Sequence, residues 1–97
     1  MGFEMPDKNS INDRVDKLEG WRLSPDGTAI RRRFAFKGFA KAVEMANLAA
    51  WLGNRQNHHP DVAFGWGYCT VTFTTHDAGG LTEADFACAA RLNDLVA

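Results

Sequence analysis

Histidine is the residue type whose placement in this sequence most clearly suggests chemistry. Two adjacent histidines precede a proline in His58-His59-Pro60, a third stands at His76, and the chain has no other. Imidazole titrates near neutral pH, so each ring can donate or accept a proton under cellular conditions. All three fall where short structural elements are expected to end, and side chains at such ends can converge on a shared cleft. The sequence therefore predicts a site that transfers protons or binds a metal ion.

Asp85 and Asn54 are the polar side chains that could support these histidines. Asn54 lies four residues before His58, a spacing that puts two side chains on one helical face, and Asp85 opens the last expected helix. Three imidazoles and one carboxylate around a hollow would make a proton-transfer site. Judged by residue type alone, Asp85 is better explained as a helix cap, and a single histidine is better explained as a surface residue. Trp66 is better explained as an aromatic residue with a structural role, unless it lines the pocket.

A zinc site is the alternative that the same histidines leave open. Three imidazoles are an established zinc ligand set. Neighbouring histidines in an extended chain tend to point apart, however, and no Cys or Glu stands beside them to complete a coordination shell. The spacing therefore favours proton transfer over zinc binding.

Length and charge indicate one domain over residues 1–97, with residues 1–9 expected to be flexible. The formal net charge of −1 gives no electrostatic reason to expect a nucleic-acid partner. The one basic run, Arg31-Arg32-Arg33, would alternate between the two faces of a strand, so it forms no continuous phosphate track. A solvated strand or a local anion contact is the better interpretation.

The two cysteines, Cys69 and Cys88, show no metal-ligand spacing and fit free thiols in a reducing compartment. Residues 1–9 contain no apolar core of a signal peptide. The longest apolar-rich stretch, residues 39–52, is too short and too polar to span a bilayer. The sequence therefore predicts a cytoplasmic protein with no membrane partner.

Hydrophobic periodicity predicts the order helix, hairpin, helix, hairpin, helix. The expected elements are a helix opened by a Ser10–Asp13 capping box and stopped at Gly20, strands at 21–23 and 28–36, a helix at 39–56, strands at 62–66 and 68–75, and a helix opened by a Thr82–Asp85 capping box. This order predicts an α+β fold, with mostly antiparallel strands and the helices on one sheet face. On the long helix, Leu48, Trp51 and Leu52 form a second apolar side that is typical of a contact with another subunit.

The histidine region is similar to that of a known family, pterin-4a-carbinolamine dehydratase, also called the dimerisation cofactor of a hepatocyte homeodomain transcription factor. The resemblance covers residues 18–97, and the combination of its motifs is specific. It lies in the segments Asn54-Arg55-Gln56-Asn57-His58-His59-Pro60, Trp66, Thr75-His76 and Leu81-Thr82-Glu83-Ala84-Asp85.

The resemblance implies a four-stranded antiparallel sheet with three helices on one face, in the order α-β-β-α-β-β-α, and a homodimer or homotetramer. It implies a hydro-lyase that removes water from 4a-hydroxytetrahydropterin after an aromatic amino acid hydroxylase has acted, with no metal or organic cofactor. His58, His59 and His76 fall on the family's catalytic histidines. Asp85, Trp66 and Pro60 are expected to contribute to substrate binding.

Three departures and one alternative accompany this resemblance. The family usually has an acid where Asn54 stands, often another where Asn57 stands, and in some members an arginine where Ala84 stands. Neutral side chains at the first two positions remove negative charge from the neighbourhood of the histidines. The alternative function is a protein-interaction module that stabilises a transcription-factor dimer through its helical surface.

Overall fold

A computed structural model describes residues 7–97 as three helices, a short 3₁₀ turn and one sheet. The elements are α1 (Lys8–Asp16), β1 (Trp21–Leu23), β2 (Ile30–Ala35), α2 (Phe39–Gln56), β3 (Asp61–Gly65), β4 (Tyr68–Phe73), the 3₁₀ turn His76–Ala78 and α3 (Glu83–Val96). The sheet is antiparallel throughout, in the order β1-β2-β4-β3. The predicted α+β class and element order are confirmed. No helix in residues 7–97 has both the length and the apolar character needed to cross a bilayer.

The first helix begins earlier and ends earlier than its sequence pattern predicts. Asp7, not Ser10, is the N-cap, because its carboxylate accepts the Ser10 backbone N–H at 2.8 Å. Residues 8 and 9 of the segment predicted to be flexible therefore belong to the helix, and residues 1–6 of that segment lie outside the described residues. The helix ends at Asp16, before Gly20, while Ile11 and Val15 face the core one turn apart as expected.

The sheet buries one face against the helices. Along β4 the side chains of Cys69, Val71 and Phe73 are buried, whereas the alternating threonines are half-exposed. Residues from all three helices and from β1, β2 and β4 form one apolar cluster, so the core lies between the sheet and the helical layer.

The arginine run divides between the two faces of β2, as the alternation predicts. Arg31 and Arg33 are exposed on the face away from the helices. Arg32 turns inward, where its guanidinium lies over the Phe34 ring and donates to Asn93 Oδ1 at 2.5 Å. The structure therefore accounts for Arg32 as a packing residue.

The long helix α2 has the bounds that the sequence predicts, but one residue of its outer side is misassigned. Leu52 is 1% exposed and packs in the core, whereas Trp51 is 48% exposed and Leu48 is half-buried. Leu52 lies three residues from buried Ala49 and so shares its face. The apolar surface left outside is therefore smaller than predicted.

Candidate active site

The antiparallel pairing of β3 with β4 brings the histidine-bearing segments together. Asp61, the first residue of β3, pairs with Thr72 near the end of β4. The segment that enters β3 contains His58 and His59, and the segment that leaves β4 leads to His76. Both segments therefore lie at the same end of the hairpin, although His59 and His76 are 17 positions apart in the sequence.

The end of α2 sets the direction in which the histidine pair leaves the helix. Asn57 adopts the left-handed conformation, with φ 51° and ψ 39°. The His58 N–H donates to Gly53 O at 3.0 Å and the Asn57 N–H to Asn54 O at 3.4 Å. These two bonds make a Schellman motif, which ends the helix sharply and satisfies its last carbonyls.

Gly53 allows the chain that follows to fold back against the helix. A Cβ at this position would stand 2.7 Å from Pro60 Cδ and 3.3 Å from His59 Cα. The first distance is well inside van der Waals contact and the second is tight, so a side chain here would displace the neighbouring chain, whereas glycine does not. Gly53 therefore helps to fix the position of the His58-His59-Pro60 segment.

His58 is held by a buried carboxylate. Its Nε2 lies 2.5 Å from Asp85 Oδ1, and Asp85 is fully buried. Because a carboxylate only accepts, Nε2 is the donor, which leaves Nδ1 as the ring nitrogen free to interact with a bound molecule. The ring also stacks on Phe73, with centroids 6.0 Å apart and planes 12° apart. His58 is thus fixed in both orientation and tautomer.

The second oxygen of Asp85 is satisfied within the protein. Oδ2 accepts the Thr75 hydroxyl at 2.8 Å and the Thr82 backbone N–H at 2.9 Å. The predicted capping box between Thr82 and Asp85 is confirmed. The same carboxylate therefore caps α3 and orients His58. Asp85 thus has both roles that the sequence suggested as alternatives, a helix cap and a member of the histidine site.

His59 is held by an amide rather than by an acid. Its Nε2 lies 3.1 Å from Asn54 Oδ1, on the exposed side of the helix end. With the carbonyl oxygen as acceptor, Nε2 donates and Nδ1 stays available. The neutral Asn54 therefore orients the ring without contributing a negative charge.

One hollow of about 250 Å³ contains all three histidines. Its lining residues are Asn57, His58, His59, Thr74, Thr75, His76 and Asp77. Two larger hollows, of about 420 and 480 Å³, lie beside α1 and have no histidine in their walls. The histidine hollow is therefore the candidate site because of the residues that line it and not because of its volume.

Comparisons with known proteins identify the family of this chain. Residues 5–95 match the family model described as Pterin 4 alpha carbinolamine dehydratase. The chain belongs to the pterin-4-alpha-carbinolamine dehydratase family. A protein of Paracoccus denitrificans that carries the family's name is 50% identical over 76 residues, which are 78% of this chain and 71% of the relative. One from Stenotrophomonas maltophilia is 42% identical over 85 residues, which are 88% of this chain and 73% of the relative.

Two solved structures share the fold of this family member. A transcriptional coactivator/pterin dehydratase from Brucella melitensis superposes with a TM-score of 0.87 at 29% identity, covering 97% of this chain and all of that one. A pterin dehydratase-like protein described as a RuBisCO assembly factor in the alpha-carboxysome superposes with a TM-score of 0.65 at 29% identity, covering 79% and 89%. The predicted family, and with it the predicted class of enzyme, is confirmed.

None of the three residues expected to bind substrate in this dehydratase-family chain lines the histidine hollow. Asp85 is fully buried and contacts His58, which does line it. Pro60 is half-buried and packs against Gly53. Trp66 is 73% exposed in the turn between β3 and β4, at the other end of the hairpin. Five strand residues at about 3.4 Å each place it roughly 17 Å from the histidine end. Within one chain, the structure brings together the three histidines and Asp85 but not Trp66.

The zinc alternative receives no geometric support from the described residues. Within residues 7–97, no group of three or more histidine, cysteine, aspartate or glutamate side chains is arranged to hold a metal ion. The nitrogen of His58 that meets Asp85 is already occupied by a hydrogen bond.

Sequence reasoning gave no role in the site to four residues that shape it: Gly53, Thr74, Thr75 and Asp77. A signal for Gly53 was present, because a glycine inside an otherwise strong helix lowers helix propensity by about 1 kcal/mol relative to alanine and so suggests a packing reason. Thr75 stood in the segment Thr75-His76 that resembles the family, but only beside the histidine and without a role of its own. Neither Thr74 nor Asp77 carries a local signal, since threonine and aspartate are common in loops and at the ends of strands.

Proposed function

We propose that this protein removes water from pterin-4a-carbinolamine (4a-hydroxytetrahydropterin) to give quinonoid dihydropterin. The observation that carries the proposal is the convergence of His58, His59 and His76 on one hollow, with the buried Asp85 carboxylate fixing His58. Membership of the dehydratase family supplies the substrate class. The reaction would regenerate a pterin after an aromatic amino acid hydroxylase has used it.

The reaction requires one proton to be delivered and one to be removed. The C4a–O bond breaks as the hydroxyl leaves with a donated proton as water, and the N5–H proton is lost as the C4a=N5 double bond forms. Two imidazoles, one protonated and one neutral, can do both tasks. Each positioned acid or base typically contributes roughly 10²- to 10⁴-fold to the rate.

His58 and His59 are the proposed acid and base, and His76 is proposed to position the pterin or to share in transfer. His58 and His59 each have Nε2 engaged by a protein acceptor and Nδ1 free. Asp85 compensates the positive charge that develops on His58 when the ring takes a proton. In this scheme Asp85 is a positioning residue, because its oxygens are occupied within the protein.

The proposal is tested by following the decay of enzymatically generated carbinolamine with the wild type and with His58→Ala and His76→Ala. Both variants should lower the catalysed rate, and His58→Ala should lower it by roughly 10²-fold or more. Asn47→Ala is a matched control, because Asn47 is exposed on α2. If the wild type does not accelerate decay, or if His58→Ala decays as fast as the wild type, the proposed activity is wrong.

A second candidate function, protein binding, is favoured by apolar side chains that remain exposed. Trp51 on α2 is 48% exposed, and the rings of Phe39 and Phe64, exposed by 53% and 43%, lie 6.1 Å apart. The occupant we propose for these exposed side chains is a second copy of the chain, giving a homodimer or homotetramer. A partner protein such as a transcription factor is the alternative.

Sedimentation of the purified protein distinguishes these occupants. We expect an oligomer that Phe64→Glu and Trp51→Glu dissociate, and Arg31→Glu, on the exposed face of β2, is the control. A monomeric wild type would contradict self-association. A histidine-substituted variant that keeps full biological activity would favour the binding role over catalysis.

The proposed setting is the cytoplasm. The buried free thiols of Cys69 and Cys88 support a reducing compartment. A functional link to an aromatic amino acid hydroxylase would follow from the substrate and is tested by adding this protein to a hydroxylase assay and measuring pterin turnover.

A further inference from the structure

Thr75 lines the histidine hollow, and its side chain also contacts Asp85, the carboxylate that holds His58. Its hydroxyl lies 2.8 Å from Asp85 Oδ2 and 2.8 Å from Thr82 Oγ1. Thr75 and Thr82 are 9% and 6% exposed, and Asp85 is fully buried. Water therefore has little access to replace the threonine hydroxyl as a donor to this carboxylate.

The hydrogen bonds of this cluster have one consistent direction. An ionised carboxylate has no proton to give, so the Thr75 hydroxyl donates its only proton to Asp85 Oδ2. The Thr82 hydroxyl must then be the donor to Thr75 Oγ1. On the other side of the carboxylate, Oδ1 accepts from His58 Nε2. The chain of donors runs from Thr82 through Thr75 to the carboxylate that orients His58.

The backbone of Thr75 holds the segment that contains His76. Thr75 and Gly80 form an isolated β-bridge, with Thr75 N to Gly80 O at 3.1 Å and Gly80 N to Thr75 O at 3.3 Å. This bridge closes the short loop whose 3₁₀ turn begins at His76. One residue therefore holds the loop of His76 with its backbone and the carboxylate behind His58 with its side chain.

We infer that Thr75 is a positioning residue that fixes His58 through the Asp85 carboxylate and sets it relative to His76. The catalytic part of this inference rests on the proposed dehydratase function. Without the hydroxyl, Oδ2 keeps only the Thr82 N–H, and the carboxylate can rotate away from His58. The ring then loses its single tautomer, which lowers turnover more than substrate binding.

The first test is steady-state carbinolamine dehydration by Thr75→Val and Thr75→Ser. Valine keeps the shape and removes the hydroxyl, so kcat should fall roughly 10- to 100-fold with KM changed less than threefold, as for other residues that orient an active group. Serine keeps the hydroxyl and should restore kcat to near the wild-type value. Thr72→Val is the matched control, because Thr72 lies on β4, three residues before Thr75, and its half-exposed side chain is on the face away from the core. Wild-type kcat in a folded Thr75→Val variant would overturn the inference.

The second test does not depend on activity. In ¹H–¹⁵N spectra of the histidine rings, the wild type should show one His58 tautomer with a protected Nε2–H, Thr75→Val should show mixed tautomers, and Thr75→Ser should resemble the wild type. A wild type that lacks dehydratase activity but shows this pattern would reject the proposed function and keep the positioning role. An unchanged His58 resonance in Thr75→Val would reject the positioning role even in an active enzyme.

Thr75→Ser remains informative if the valine variant does not fold. The serine variant removes only a methyl group and keeps both the backbone bridge and the hydroxyl donor. Folding is checked by circular dichroism and thermal unfolding. A folded Thr75→Ser protein that loses kcat or the His58 resonance would show that the hydroxyl is not the group responsible, which would also overturn the inference.

Discussion

Gly53 and Pro60 lie in direct contact across the end of α2, where a Cβ on residue 53 would stand 2.7 Å from Pro60 Cδ. The chain between them turns through the left-handed Asn57 and carries both His58 and His59. The position of the histidine pair therefore depends on the absence of a side chain one turn earlier in the helix.

Replacement of Gly53 by alanine should lower both stability and turnover. In an open helix this change would stabilise by about 1 kcal/mol, because alanine has the higher helix propensity. Here the added Cβ must displace Pro60 and His59, so we expect a net loss of stability of about 1–3 kcal/mol and a lower kcat. Urea unfolding and the carbinolamine assay measure the two effects. Ala50→Gly, exposed on the same helix, should cost about 1 kcal/mol and leave kcat unchanged. Unaltered stability and kcat in Gly53→Ala would contradict the argument.

Substitutions of Asn57 should separate its backbone role from any effect of its side chain. An ordinary L-residue in the left-handed conformation costs roughly 1–2 kcal/mol, whereas glycine adopts it freely. Asn57→Ala should therefore lower the free energy of unfolding by about 1 kcal/mol, and Asn57→Gly should leave it nearly unchanged or higher. Chemical denaturation measures both. Equal stability of the alanine and glycine variants would show that the conformation of Asn57 is not what the fold requires.

Asp26 should make the stability of the first hairpin depend on acid pH. Hydrogen bonds from the side chains of Thr28 and Ser24 and from the Thr28 backbone lower the pKa of Asp26 from 3.8 to about 2. Because the folded pKa is the lower one, this contribution is fully present above about pH 4 and is lost as the pH falls through 2. Asp26→Asn keeps one acceptor oxygen but does not titrate. Thermal unfolding of both proteins should show that the difference in stability between the wild type and this variant becomes smaller from pH 4 to pH 2. A difference in stability that does not change over this range would contradict the prediction.

Cys88 should resist alkylation in the folded protein. Burial, and secondly the negative charge of Asp85, raise the pKa of the Cys88 thiol from 9.0 to about 11. At pH 8 only about one molecule in a thousand would carry the reactive thiolate, and access is also limited. Mass spectrometry after iodoacetamide treatment should find Cys88 unmodified until urea unfolds the chain. Its rapid labelling in the native protein would contradict this environment.

Local sequence patterns predicted most of the fold because they act over short distances. The bounds of α2 follow from its run of strong helix formers, and β4 follows from the alternation of Cys69, Val71 and Phe73 with threonines. The start of α1 was wrong by about one turn, because Asp7 competes with Ser10 for the same capping role and takes the Ser10 N–H itself. Leu52 was assigned to the wrong side because α2 is apolar over more than half its circumference, so composition does not show which residues face the core.

The sequence by itself determined the helices, the strands, their order and the set of three histidines, because periodicity, turn residues and residue chemistry are properties of neighbouring positions. Only the tertiary structure decided which oxygen of Asp85 meets His58 and that Thr75 donates to the other. These relationships join segments that are distant along the chain. They are set by strand register and by the packing of α3 against the sheet, and no short pattern of residues contains that information.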